Sequence, residues 1–166
     1  MIYGLVVSMQ IKQNGLWVNP PDKLQWRLNN QWHQASSEVE WVLATDSDFS
    51  GDYDGLFRYI GTDKYVIIPH VIKGVNITLY NSMFINTSVM GVESTNKNVT
   101  NTTAMFYGSQ ATSLDLSSFD ASNVTTMNNM FRNSKATIGY ARTQADADRF
   151  NSSSSKPSTL NFVVKN

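Results

Sequence analysis

The chain has 166 residues, with 13 Lys+Arg balanced by 13 Asp+Glu and no cysteine. That length suits one domain with at most a small appendage. The missing cysteines exclude disulfides, thiolate zinc sites and a cysteine nucleophile, and the neutral balance excludes the basic footprint of a nucleic-acid binder. Charged residues are only 16% of the total, while 17 Asn, 19 Ser and 14 Thr supply most of the polarity. Amides and hydroxyls therefore solvate the surface, and 11% aromatic residues argue for a packed core rather than disorder. No apolar run reaches the roughly 18–20 residues that a membrane span needs. The opening Met1–Lys12 stretch lacks the basic start and small-residue cleavage site of a signal peptide.

Residues 1–45 form the first predicted unit. The motif Asn-[Gly/Asn]-x-Trp occurs at Asn14-Gly15-Leu16-Trp17 and again, 15 residues on, at Asn29-Asn30-Gln31-Trp32. Asn-Gly and Asn-Asn tolerate positive φ, so each reads as a two-residue hairpin turn, with Pro20-Pro21 separating the two. Trp17, Trp26, Trp32 and Trp41 are expected to staple a small β-unit, or to line a sugar site or an oligomer interface. An anchoring or oligomerising role is expected of this unit.

Residues 46–58 read as an acidic connector. Glu38 to Asp54 holds six carboxylates and no basic residue. Asp46, Asp48, Ser50, Gly51, Asp52 and Asp54 match the first half of a calcium loop, but Phe57 stands where its bidentate Glu belongs. A solvated turn is the expectation, and no metal site is assigned.

Residues 59–166 carry an internal repeat. Asn76-Ile77-Thr78, Asn98-Val99-Thr100 and Asn123-Val124-Thr125 each lead, after four residues, to Met83-Phe84, Met105-Phe106 and Met130-Phe131. One residue later comes Asn or Gly, then Ser or Thr. The Met-Phe pairs lie 22 and 25 residues apart, a period at which each unit makes one solenoid coil. In the clearest copy, Ser113 to Leu116 alternates as a strand with Leu114 and Leu116 inward. Phe119 closes the strand and Asp120–Asn123 turns the chain. Val124, Met127, Met130 and Phe131 are then spaced i, i+3, i+6, i+7, which predicts a short helical return. The repeated Asn is expected to bond turn backbone left unpaired. N-glycosylation is the alternative, because Asn76, Asn86, Asn98, Asn101, Asn123 and Asn151 all open N-x-[ST] triplets. Thr143 and Asp146 form an acidic capping box before a helix from Gln144 to Phe150, and Leu160–Val164 reads as a final strand. Together they would cap the last coil.

The stretch SLDLSSFDASNVTTMNNMF, Ser113 to Phe131, resembles the repeat consensus of the BspA-like leucine-rich-repeat surface proteins, with Ala121 the one departure. Val92-Glu93-Ser94 marks a more degenerate copy. Tyr65–Pro69 with Gly74–Thr78 is similar to that family's first coil, and Ala141–Phe150 with Leu160–Lys165 to its C-terminal cap. The resemblance covers about residues 55–166. It implies an α/β, short leucine-rich-repeat-type solenoid of about three coils, with a C-terminal helix-strand cap and an N-terminal β-hairpin unit. The hairpins are similar to short modules of phage tail, fibre and baseplate proteins.

No catalytic constellation is legible. His33 and His70 are the only histidines, and Asp146 and Asp148, spaced i, i+2, do not converge on a helix. No nucleophile elbow, P-loop, dinucleotide fingerprint or HExxH occurs, so no enzyme, cofactor or metal is expected. Candidate ligand-binding residues are the outward strand positions Ser113, Asp115 and Ser117, with Tyr107 and Arg132 nearby. The sequence thus predicts a non-enzymatic homo-oligomer of the phage tail or baseplate. Its expected partners are other virion tail proteins and a host-cell receptor or glycan, with no nucleic acid and no membrane span. The alternative is a secreted or wall-attached bacterial adhesin, and an enzyme of unknown class is a remote third.

Overall fold

A computed structural model describes residues 40–51, 55–94 and 96–165 in full, and residues 11–13, 16–18, 25–28 and 31–34 by backbone alone. The chain divides into two compact units, Met1–Val42 and Leu43–Asn166.

In the first unit β1 (Ile11–Gln13) pairs antiparallel with β2 (Leu16–Val18), and β3 (Gln25–Leu28) with β4 (Gln31–Gln34). Gln13 faces Leu16 and Leu28 faces Gln31, the register of two-residue hairpin loops. The loop residues themselves, and the side chains of Trp17, Trp26 and Trp32, lie outside the described residues. Trp41 is half-buried.

From Val42 onward the chain winds. Its strands are β5 (Val42–Leu43), β6 (Phe49–Ser50), β7 (Arg58–Tyr59), β8 (Tyr65–Ile68), β9 (Val71–Ile72), β10 (Val75–Asn76), β11 (Gly91–Ser94), β12 (Ser113–Leu116) and β13 (Ile138–Ala141). The helix α1 (Gln144–Asn151) and β14 (Asn161–Val164) follow. One sheet holds β14-β13-β12-β11-β8-β5 in that order, and its neighbouring pairs from β8 to β14 are parallel. This is a mostly-strand solenoid of about five turns, not three. The degenerate copies supply coils of their own, and the cap strand β14 continues the ladder. Tyr65, Gly91, Asp115, Tyr140 and Val163 form one column across it. In this register Gly91 lies beside Asp115, so Met90-Gly91-Val92 stand where the clearest copy has Leu114-Asp115-Leu116.

The expected helical return does not form, and α1 is the one α-helix among the described residues. Residues 80–87, 102–109 and 127–134 run instead through overlapping turns. Within each, N–H groups bond the carbonyl three residues back, as Met83 does to Tyr80, Ile85 to Ser82 and Thr87 to Phe84. The alternate N–H groups leave the coil. Tyr80, Ser82, Phe84 and Asn86 donate to Asn101, Thr103, Met105 and Tyr107 at 2.8–3.0 Å. Thr102, Ala104, Phe106 and Gly108 do the same to Thr126, Asn128, Met130 and Arg132. A helix would take those donors for its own i−4 carbonyls. The winding also needs left-handed residues, which a helix forbids. Ser82 and Asn86, Ala104 and Gly108, and Asn129 and Asn133 occupy them, with φ between 54° and 66°. The Asn or Gly after each Met-Phe-x is therefore a conformational requirement. At Gly108 space adds to it, because a Cβ there would lie 2.1 Å from the Asn86 Oδ1.

Sheet wall and turn wall enclose one core. The repeated Phe residues stack through it: Phe84 on Phe106 at 5.6 Å and 11°, Phe106 on Phe131 at 6.1 Å and 7°. Phe150 and Phe162 close the far end against Phe131, and Tyr59 meets Phe84 at the near end. In the cap, the Thr143 hydroxyl accepts from the Asp146 N–H at 3.1 Å, as the sequence predicts for the helix start. The Asp146 carboxylate takes the Thr143 hydroxyl and Arg142 Nε. Asn151 fastens β14 by accepting from the Phe162 N–H and donating to its carbonyl, both at 2.9 Å.

The repeated Asn serves the turn backbone at one of its three positions, where Asn123 Nδ2 donates to the Lys97 carbonyl. Asn76 and Asn98 are exposed and make no such side-chain bond among the described residues. In the second coil Asn96, two residues earlier, takes the task. It donates to the Ile77 carbonyl and accepts from the Asn98 N–H.

Candidate binding surfaces

Strand alternation gives the sheet wall an inner and an outer side. Val66, Val92, Leu116 and Ala141 are buried inward. Outward lie Ser113, Ile138 and Asn161 in one column, and Tyr65, Gly91, Asp115, Tyr140 and Val163 in the next. The predicted Ser113, Asp115 and Ser117 share this outer side. Asp115, however, is committed internally. Its Oδ2 lies 2.6 Å from Lys165 Nζ, and its Oδ1 accepts the Ser117 N–H at 3.0 Å and the Ser117 hydroxyl at 2.6 Å. Burial alone would raise its pKa, but the bonds from Lys165 and Ser117 outweigh it and hold the carboxyl below the usual range. Asp115 is only 8% exposed.

Tyr107 and Arg132 belong to the turn wall, adjacent in one column through the Gly108-to-Arg132 bond. The Tyr107 hydroxyl accepts from Asn133 Nδ2 at 3.2 Å, and Arg132 is exposed. The five predicted residues thus fall into two groups on different walls.

Three outer residues escaped sequence reasoning. Ile138 is 39% and Val163 40% exposed, with half-buried Tyr140 beside them. β13 places large side chains outside and Gly139 and Ala141 inside, the reverse of the usual pattern. The cause is Phe162, whose ring lies 2.2 Å from where a Gly139 Cβ would stand. The small-large alternation Ile138-Gly139-Tyr140-Ala141 was the available signal.

At the other end of the solenoid, residues 59–63 and 85–89 border a half-open cleft of about 410 Å3. Its order comes from Tyr59. The buried hydroxyl donates to Asp63 Oδ2 at 2.7 Å and accepts from the Asp63 N–H at 3.3 Å. Gly61 permits the loop to close around it, since a Cβ there would sit 2.4 Å from the hydroxyl oxygen. Burial, then the bond to Asp63, push the Tyr59 hydroxyl well above its ordinary pKa, so it remains a donor. The buried Tyr80 hydroxyl, bonded to Ser94 at 2.6 Å, is likewise pushed up by burial to about 12.

The acidic connector shows no cation cluster among the described residues. Asp46 Oδ1 accepts the Lys73 N–H, and Asp48 Oδ2 accepts the Thr45 N–H and hydroxyl. Asp52, Asp54 and the side chain of His33 lie outside the described residues, while His70 is exposed. Among the described residues no helix is long and apolar enough to cross a membrane.

Residues 75–161 match the family described as Mycoplasma protein of unknown function, DUF285. The chain belongs to this family. The DUF285 match takes in the whole turn wall and runs from β10 to the first residue of β14, leaving the 59–63 lip of the cleft outside it. No curated protein and no solved structure matches the chain.

Proposed function

We propose that this DUF285 protein is a non-enzymatic binding and structural protein that presents its outer sheet face to a partner, as a component of a phage tail or baseplate. Exposed Ile138 and Val163, with half-buried Tyr140 beside them, carry the reading, because apolar side chains grouped on one sheet face are typical of interaction sites. The Asn-[Gly/Asn]-x-Trp hairpins support a tail setting, with the first unit as anchor or oligomeriser and a host receptor or glycan as partner. In a particle preparation from the producing host, mass spectrometry is expected to find the chain beside tail proteins. Its absence from purified particles would sink the virion reading. The substitutions Ile138→Asp and Val163→Asp together are expected to abolish partner binding while the fold stays intact by circular dichroism. A monomer by light scattering at micromolar concentration would count against the oligomerising unit.

A secreted or wall-attached surface adhesin is the second reading. The BspA-like resemblance of Ser113 to Phe131 favours it. Protein found on the cell wall rather than in particles would establish it over the first.

A further inference from the structure

The cleft between residues 59–63 and 85–89 is an interruption in the hydrogen-bond ladder. In the second and third coils the carbonyls of Tyr107 and Arg132 each take an N–H from the coil before, given by Asn86 and Gly108. In the first coil the sequence of bonds begins with Tyr59 N–H to the Met83 carbonyl at 2.8 Å and stops there. Ile85, the counterpart of Tyr107 and Arg132, is left with a carbonyl that accepts no backbone bond among the described residues. Across the cleft, Asp63 has Oδ2 fixed by the Tyr59 hydroxyl, while Oδ1 has no hydrogen-bond partner among the described residues. The site therefore offers two unfilled acceptors, one of them anionic.

The rest of the lining fits one kind of donor. Among the described residues no Lys or Arg borders the cleft, so none of them neutralises the Asp63 charge from within. Ile60, 60% exposed, and half-buried Ile85 give it aliphatic sides, and Ser88 stands exposed on the rim. Tyr59 is turned inward and buried, so no aromatic face is offered to a sugar ring. With one carboxylate and no cluster of three metal-ligating side chains among the described residues, the donor set is also poor for a divalent metal. An alkylammonium uses every feature. Its charged head bonds carboxylate and carbonyl, and its methylene stem lies on the two Ile side chains. The volume of about 410 Å3 accommodates a lysine side chain with its adjoining backbone.

The geometry points to this cleft as a receptor for a lysine side chain of a protein partner, gripped by Asp63 and the Ile85 carbonyl. The inference adds a second contact to the binding function proposed above, and its failure leaves the outer face unaffected.

The test is an amide-resolved NMR titration of the full chain with the tripeptide Gly-Lys-Gly, capped at both ends. Shifts are expected at Gly61, Asp63, Ile85 and Asn86. The same peptide with norleucine for lysine is expected to produce none. Asp63→Asn preserves an acceptor for the Tyr59 hydroxyl but removes the charge, and is expected to weaken binding at least about tenfold. Ser88→Lys, which supplies a competing ammonium from the rim, should abolish binding with Asp63 intact. Equal binding of the norleucine peptide, or unchanged affinity in both variants, would overturn the proposal, as would the absence of shifts. n-Butylammonium binding as tightly as the peptide would overturn the lysine source in favour of a free amine, and calcium chloride shifting the same amides more strongly would overturn the ammonium. Ile138→Asp is expected to leave the titration unchanged, which separates this contact from the outer-face reading.

Discussion

In the sheet wall each coil contributes about four extended residues, and consecutive side chains pass alternately into the core and out to solvent. In the turn wall each coil contributes eight residues, and in its first two coils it is the backbone N–H groups that alternate, one bonding its own turn and the next bonding the following coil. The sheet wall thus tolerates varied side chains outside, from Ser113 to Tyr140, provided the inner ones fit. The turn wall constrains the backbone itself, fixing two left-handed residues per coil and one Phe in register with the next. Sequence repetition is accordingly strongest in the turn wall and weakest in the strands.

That contrast breaks most visibly at the Phe stack. Phe106 is fully buried between two rings, and Phe106→Ala is expected to destabilise the fold by about 3–5 kcal/mol in chemical denaturation. A loss below about 1 kcal/mol would mean that the stack is not what registers the coils. Gly108→Val tests the left-handed positions. A β-branched side chain at φ 66°, meeting the Asn86 amide, should cost at least about 2 kcal/mol. The same exchange at Gly74, where a Cβ meets nothing within 4 Å, separates strain from clash. On the sheet wall, Lys165→Met removes the partner of Asp115 and is expected to cost about 1 kcal/mol, since Lys165 is half exposed. Its pH dependence has a definite sign. The Asp115 pKa is lowered in the fold, so its contribution is fully present above the unfolded carboxylate value of about 3.9 and is lost as pH falls through the lower folded value. The wild-type and Lys165→Met stability curves should therefore converge below about pH 4, and a constant gap would refute the pairing. The smallest effect is a gain. Ala104 holds φ 54° without a functional side chain, so Ala104→Gly should stabilise by about 0.5 kcal/mol in thermal melts.

The repeat, the strand Ser113–Leu116 and the helix after Thr143 were legible because each has a local cause: period, alternation, cap. The turn wall was misread as helix because overlapping three-residue turns put Val124, Met127, Met130 and Phe131 on one side, as a helix would. The distinguishing mark was the pair of small or amide residues four apart, as at Asn129 and Asn133, which suits left-handed backbone. Of the candidate site, the outward placement of Ser113, Asp115 and Ser117 followed from strand period. The commitment of Asp115 to Lys165 depends on a residue fifty positions later, just past the end of β14. Ile138 and Val163 were hidden because apolar residues in a strand are expected inward, and Phe162 claims that space. The cleft had no local sign, since it exists where one ladder stops.

The hydrogen bonds of the turn wall have a further consequence. The peptides whose alternate N–H groups reach the next coil point their carbonyls toward the N-terminal end of the solenoid and their N–H groups toward the C-terminal end, while only the Thr87 and Ser109 carbonyls, bonded by Gln110 and Lys135, run the other way in this wall. Four such peptides per coil, in line over successive coils, add their dipoles along the axis, with the sense opposite to that of an α-helix read from its N-terminus. The negative pole falls on the first coil, where the Ile85 carbonyl and Asp63 face the cleft. The whole wall therefore leans electrostatically toward a cation at that end, and lengthening the solenoid by a coil would strengthen the pull without touching a residue of the cleft.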